Sequence, residues 1–424
     1  MSGLSRRRLD VVNTTAHPRY VVWELTLRCD HACTHCGSRA GVARETELST
    51  EQALGVVAEL AAMGTQELVL IGGEAYLHEG FLSIIEALRS HGITPVMTTG
   101  GRGIDLSLAQ QMHAAGMQRV SVSIDGLAAI HDRMRARKGS FEGTLQALAA
   151  IRQAGMVAQA NTNLNRLNIG DLEGLYEVLL ANGVRGWQVQ LTSPLGRAAD
   201  RPDMLFQPFD LLDVLPRVAA LKERGFRDGM MIMPGNNLGY FGPEEALLRT
   251  PVKGGSDHFQ GCQAGRFVMG IESDGAVKGC PSLQTQHYVG GYASTTPIAD
   301  IWNDASELAF ARARTVEEDL WGFCQQCPYA ETCMGGCSFT AHGFFGRAGN
   351  NPYCHFRAAD HQRRGLRERL VATDAASGRP FDHGLFEIVV EPFDAPLERA
   401  PAGEPSLAKI GRKPKRMDPE RAGA

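Results

Sequence analysis

Three cysteines fall within eight positions of the stretch "LRCDHACTHCGSR" (27–39): Cys29, Cys33 and Cys36. Thiolates crowded in this way are metal ligands more readily than disulfide partners in a reducing compartment. A [4Fe-4S] cube asks for four thiolates, one on each iron. Three cysteines therefore leave one iron open to a small ligand, which makes it a chemical site as well as an electron carrier. Zinc is the other chemistry this spacing allows, with His31 or His35 completing a Cys3His set. Seven further cysteines stand at 262, 280, 324, 327, 333, 337 and 354, and none lies between 36 and 262. That gap predicts one metal site at the front and one or more in a separate C-terminal module. The Cys324-x2-Cys327 spacing also fits a zinc ribbon.

The elements that must position these groups alternate. "YVVWELTL" (20–27) is a short β-branched and aromatic run and reads as a buried strand. "STEQALGVVAELAAMG" (49–64) has helical periodicity, a capping box in Ser49 and Gln52, and a C-terminal cap in Gly64. The pattern repeats with strands predicted at 67–73, 93–100, 119–126, 156–165 and 186–194. Helices are predicted at 80–92, 105–116, 140–155, 169–183 and about 209–224. Six strand-helix units predict a parallel sheet covered by helices. They fall short of eight, so the expected fold is α/β, an open partial (β/α)6 TIM-like barrel, with a flat doubly wound sheet as the alternative. Either places ligands at the C-terminal ends of the strands, and the three-cysteine loop follows the first.

The 424 residues are 43% apolar and 21% charged, with a net charge of -4 from interleaved signs. This is a globular composition with no nucleic-acid surface. No apolar run approaches the ~18 residues of a membrane span. "SRRRLD" (5–10) lacks the apolar region of an export signal, so the expected location is cytoplasmic. The boundaries read as an N-terminal extension (1–19), a barrel (20–225), a turn-rich connecting region (226–261), a cysteine-rich module (262–360) and a C-terminal extension (361–424), disordered beyond about 395.

C-x3-C-x2-C after the first strand, with "GGE" (72–74) after the second, resembles the radical S-adenosylmethionine superfamily. The resemblance implies that the amino and carboxylate groups of S-adenosylmethionine chelate the open iron. One electron then cleaves the sulfonium, and a 5′-deoxyadenosyl radical abstracts hydrogen from the substrate. It also implies roles for single residues. Gly72, Gly73 and Glu74 would hold the methionine amino group. Ser123, beside Asp125 at the end of the fourth strand, would contact the cofactor. Arg135 in "HDRMRARKGSF" (131–141) would pair with the methionine carboxylate. Asn163 and Leu191, ending the fifth and sixth strands, would lie near ribose and adenine. His35 stands where the family commonly has an aromatic residue.

The later cysteines, Cys262-x12-Gly275-x4-Cys280, then Cys324-x2-Cys327-x5-Cys333-x3-Cys337 and Cys354, resemble the seven-cysteine SPASM domain of such enzymes. By that resemblance Cys324, Cys327, Cys333 and Cys354 would bind one auxiliary [4Fe-4S] cluster, and Cys262, Cys280 and Cys337 a second. The total is then three. The second auxiliary set lacks a fourth thiolate; Asp257, His258, a substrate thiolate or an open iron are the alternatives. Asp257, His258, Tyr240 and Glu272 are candidate bases. The resemblance further implies oxidation of a ribosomally made peptide, a tetrapyrrole or another small molecule. A low-potential donor such as flavodoxin or ferredoxin would supply the electron, and a separate protein could present a peptide leader. A non-catalytic zinc scaffold is the reading from outside enzymology.

Overall fold

The computed structural model describes residues 16–235 and 237–396. The export-signal reading at 5–10 and the disorder reading of the tail from 397 onward lie outside the described residues.

Seven strands follow one another in parallel: β1 (Tyr20–Glu24), β2 (Glu67–Ile71), β3 (Thr94–Thr99), β4 (Arg119–Ser123), β5 (Val157–Leu164), β6 (Gly186–Leu191) and β7 (Met231–Pro234). Helices Thr50–Ala62, Phe81–Ser90, Leu106–Ala115, Ser140–Gln153, Leu172–Ala181 and Leu211–Asp228 connect them. The six expected units are present, and local chemistry sets their ends. Ser49 and Gln52 exchange their capping-box hydrogen bonds, Gln52 N to Ser49 Oγ at 3.2 Å and Ser49 N to Gln52 Oε1 at 2.9 Å. Gly116 ends its helix at φ 109°, a conformation open to glycine.

β7 is a seventh parallel strand inside the stretch read from sequence as a connection. On the other side, β8 (Val268–Ile271) from the cysteine-rich region pairs in parallel with β1, register Tyr20↔Val268 to Trp23↔Ile271. β9 (Ala276–Lys278) and β10 (Val289–Tyr292) continue antiparallel from it. The result is one ten-stranded open sheet with β10 and β7 at its edges. A separate hairpin, β11 (Leu366–Asp374) and β12 (Leu385–Pro392), follows.

Apolar residues alternate along β5 and β6, so Ala158, Ala160, Trp187 and Val189 pack outward under the helices. The opposite face carries Asn161, Asn163, Gln188 and Gln190 towards the barrel interior. Among the described residues no helix is long and apolar enough to cross a membrane.

The hairpin is tied down by a buried fork. Arg357 donates to Glu368 through Nε at 2.6 Å and Nη2 at 2.7 Å. Burial alone would raise the Glu368 carboxyl. His361 and Arg357 outweigh it and hold the group down at about 2, against an ordinary 4.5. The depressed value stabilises the fold above about pH 4.5 and loses that contribution as pH falls towards about 2. We expect Glu368→Gln to cost on the order of 3 kcal/mol at neutral pH and to flatten the acid limb of stability, checked by denaturant unfolding of both proteins across that range.

Candidate active site

The cysteine loop rests on the backbone that follows β2. Gly73 N donates to Thr26 O at 2.8 Å and Glu74 N to Arg28 O at 2.8 Å. A Cβ on Gly72 would sit 2.4 Å from Thr26 O, and one on Gly73 2.0 Å from Arg28 O. These are backbone atoms that cannot rotate away, so the close approach that requires glycine is to the cysteine loop itself. Gly73→Ala should therefore displace Cys29. The expected result is loss of the iron held by the N-terminal site, with the C-terminal iron kept, read as iron per chain. Three more contacts fix the loop: Thr34 N to Met134 O at 2.8 Å, Arg197 N to Cys36 O at 2.9 Å and Arg197 Nε to Cys33 O at 2.8 Å.

Glu74 is buried, with Oε1 accepting from Gly100 N at 2.7 Å and Oε2 from Thr99 Oγ1. Burial pushes its carboxyl up to about 7 against those bonds. Thr99 and Gly100, at the end of β3, had no motif to mark them.

Asp125 is the electrostatic centre of the loop's other side. Its Oδ2 lies 2.6 Å from Arg135 Nη2 and 3.2 Å from His35 Nε2, and Oδ1 accepts from Asn163 N at 3.0 Å. Burial opposes its charge, but Arg135 and His35 prevail and hold the carboxyl well below the usual range. Arg135 follows the helix Ala128–Met134 and also reaches Cys33 Sγ at 3.5 Å. It is thus already paired with a carboxylate of this chain, and Asp125 gives His35 a partner.

Asn163 Oδ1 accepts from Gln190 Nε2 at 2.8 Å. Leu191 is clamped by Asn237, which accepts from its N at 3.2 Å and donates to its O at 2.7 Å. A cavity of about 1180 Å³ joins these parts. Cys29, Cys33, Cys36 and His35 line it, as do Gly72, Gly73, Glu74, Ser123, Arg135, Asn163 and Leu191. Cys280, Phe339 and Phe381 complete its far wall.

The thiols fit a metal cluster. Burial pushes Cys29 up to about 12 and raises Cys33, so a cation bound here would displace their protons and leave the thiolates as ligands. Both ring nitrogens of buried His31 and Nε of Arg135 lack hydrogen-bond partners, leaving polar atoms for a guest in the same place.

The later cysteines form two sets. Cys324, Cys327, Cys333 and Cys354 line one small pocket walled by Phe241, Phe323, Tyr329 and Phe356. Cys262, Cys280 and Cys337 gather separately: burial first, then Cys262, pushes Cys280 up to about 12 and Cys337 to about 11.

None of the four candidate bases lines the cavity. Phe259 N is anchored to Glu245 Oε1 at 2.8 Å, and the neighbouring His258 ring lies 6.3 Å from that of Phe241, on the four-cysteine side. Asp257 belongs to the same segment. Tyr240 is buried; its hydroxyl accepts from Cys337 N at 3.0 Å and Asn351 Nδ2 at 3.3 Å. Glu272 is neutralised by Arg44, 2.8 Å away, and by Lys278.

Residues 23–179 match the Radical SAM superfamily and residues 262–328 the SPASM iron-sulfur cluster-binding domain. An AdoMet-dependent heme synthase of Nitratidesulfovibrio vulgaris is 28% identical over 80% of this chain and 92% of its own length. The mycofactocin maturase MftC of Mycolicibacterium smegmatis is 28% identical over 76% of this chain and 78% of its own. Among solved structures, anSMEcpe with bound AdoMet and a peptide superposes with a TM-score of 0.64 at 19% identity, covering 81% of this chain and 95% of that one. Streptococcus suis SuiB bound to its precursor peptide SuiA gives 0.61 at 14%, covering 80% and 75%. These two likenesses bear on the fold. The first match contains Cys29, Cys33 and Cys36 and the second Cys262, Cys280, Cys324 and Cys327, so the chain carries a radical S-adenosylmethionine domain and, after it, a SPASM domain.

Proposed function

We propose that this enzyme oxidises a ribosomally made peptide inside the barrel. The observation that carries the reading is the chemistry of the cavity wall. Asn161, Asn163, Gln188 and Gln190 present neutral amides along β5 and β6, which match a polypeptide backbone donor for acceptor. The arginines among the lining residues are Arg19, Arg135 and Arg197. In this reading Arg135 is set aside for the methionine carboxylate, Arg197 is engaged by the Cys33 and Ala40 carbonyls, and Arg19 donates through Nε to His17 at 3.0 Å. A substrate bearing several carboxylates would call for free bidentate arginines instead.

In this reading Cys29, Cys33 and Cys36 would hold a [4Fe-4S] cluster, which together with S-adenosylmethionine would supply one-electron sulfonium cleavage and hydrogen-atom abstraction. The chain's own residues bind and orient. Glu74 would offer its carboxylate, and the Gly72–Gly73 backbone its polar groups, to the methionine ammonium. Arg135, locked by Asp125, stands beside Cys33 for the methionine carboxylate. Ser123, Asn163 and Leu191 border the nucleoside, and His35 completes that wall. Ten cysteines divide three, three and four, which suits three clusters. Cys280 shares the cavity with the N-terminal cysteines, so the auxiliary set it belongs to stands beside the substrate and suits acceptance of the second electron. A flavodoxin or ferredoxin would provide the first electron, in the cytoplasm.

A second reading, an iron porphyrin as substrate, is favoured by the heme synthases among the sequence relatives. One experiment separates them. Reduced, cluster-loaded enzyme and S-adenosylmethionine are offered either the peptide encoded by a small neighbouring open reading frame or Fe-coproporphyrin III. Loss of two hydrogens from the peptide, with stoichiometric 5′-deoxyadenosine, is expected. Turnover of the porphyrin with the peptide untouched would replace the first reading by the second.

A further inference from the structure

Three histidines outside the cavity converge from separate parts of the chain. His287 belongs to the short helix Thr285–Tyr288 that follows Cys280, and His342 to the helix Ser338–Phe345 that follows Cys337. His383 stands just before β12. One ring nitrogen from each lies within 4.8 Å of the others. The ring centroids are 4.9 Å apart for His287 and His342, 5.0 Å for His342 and His383, and 6.4 Å for His287 and His383. We propose that His287, His342 and His383 bind a divalent zinc ion through a three-imidazole site distinct from every iron-sulfur centre.

His342 is 4% exposed, and its Nε2 has no hydrogen-bond partner. A buried nitrogen without a partner is destabilising unless something fills it. The outer contacts match what a metal-binding imidazole needs. His342 Nδ1 lies 2.9 Å from the Tyr288 hydroxyl, and His383 Nδ1 lies 2.8 Å from Gly384 O. The δ nitrogens of His342 and His383 thus have partners, which leaves their Nε2 atoms for an ion. Three neutral imidazoles suit a borderline cation such as zinc, with zinc–nitrogen bonds of about 2.0–2.1 Å. His287 is exposed, which leaves the fourth position to water. The ion would fasten the C-terminal hairpin to the segments behind Cys280 and Cys337.

The test uses the full chain, purified anaerobically with its clusters loaded, given zinc and then dialysed. Iron, sulfide and zinc are counted, and the zinc K-edge absorption spectrum is recorded. One retained zinc per chain is expected, with a nitrogen and oxygen shell free of sulfur and unchanged iron. His342→Ala should lose it; if that variant fails to fold, His287→Ala at the exposed edge serves the same purpose. No retained zinc, a sulfur-containing shell, or zinc kept by the histidine variants would each overturn the proposal.

Discussion

Replacing Cys29, Cys33 and Cys36 together by alanine should reduce 5′-deoxyadenosine formation from S-adenosylmethionine to background, a fall of more than about a thousandfold. The iron of the C-terminal cysteines should remain. The loop that carries the three thiols is held from three segments, at Gly73 and Glu74, Met134 and Arg197, by bonds that do not involve sulfur. The two later sets lie on other segments, with Tyr240 and its aromatic neighbours between them. Loss of chemistry with retention of fold and of the remaining iron is therefore the expected signature, read by chromatography of the nucleoside alongside iron and sulfide analysis. A variant that still cleaved the sulfonium at the parent rate would show that the N-terminal thiols are not the site. Zinc in place of iron and sulfide in the unmutated protein would support the scaffold reading instead.

The second large effect is expected at Asp125→Asn. The substitution keeps the shape and removes the charge. Arg135, 7% exposed, would then keep a positive charge in a buried position beside His35. Breaking one partner of such a pair costs about 3–5 kcal/mol. Thermal or denaturant unfolding of the cluster-loaded protein should show a loss of that order. Arg135→Met in the same chain should return part of it, because the stranded charge is then gone. Unchanged stability in the single variant would mean that solvent reaches the pair and that the arrangement around Cys33 is looser than described here.

Much of this site was legible in the chain. The six strand-helix units, the Ser49–Gln52 cap and the glycine ends follow local chemistry, and local chemistry is what a sequence displays. The grouping of the later cysteines rested on the resemblance to the SPASM domain, since spacing alone also fits zinc, and Cys324, Cys327, Cys333 and Cys354 do line one pocket. What escaped was non-local. β7 and β8 are four residues each, too short for a period, and they become strands through partners about 45 and about 250 positions away. The glycines after β2 stand out in "GGE", but that a side chain there would strike Thr26 and Arg28 shows only in the folded chain. Asp125 was noted at a strand end, yet its pairing with Arg135 and His35 depends on three elements meeting. Asn237 lies in a turn-rich segment and shows its purpose only beside Leu191. The segment of Asp257 and His258 lies next to Cys262 in sequence, but the anchor of Phe259 to Glu245 turns it to the other cysteine pocket.

The parallel ladder between β1 and β8 has a mechanical meaning. Residues 20–23 and 268–271 are stitched by main-chain bonds, so the iron-bearing ends of the chain cannot swing apart like the jaws of a clam. Whatever reaches the cavity between them must do so without parting these two strands.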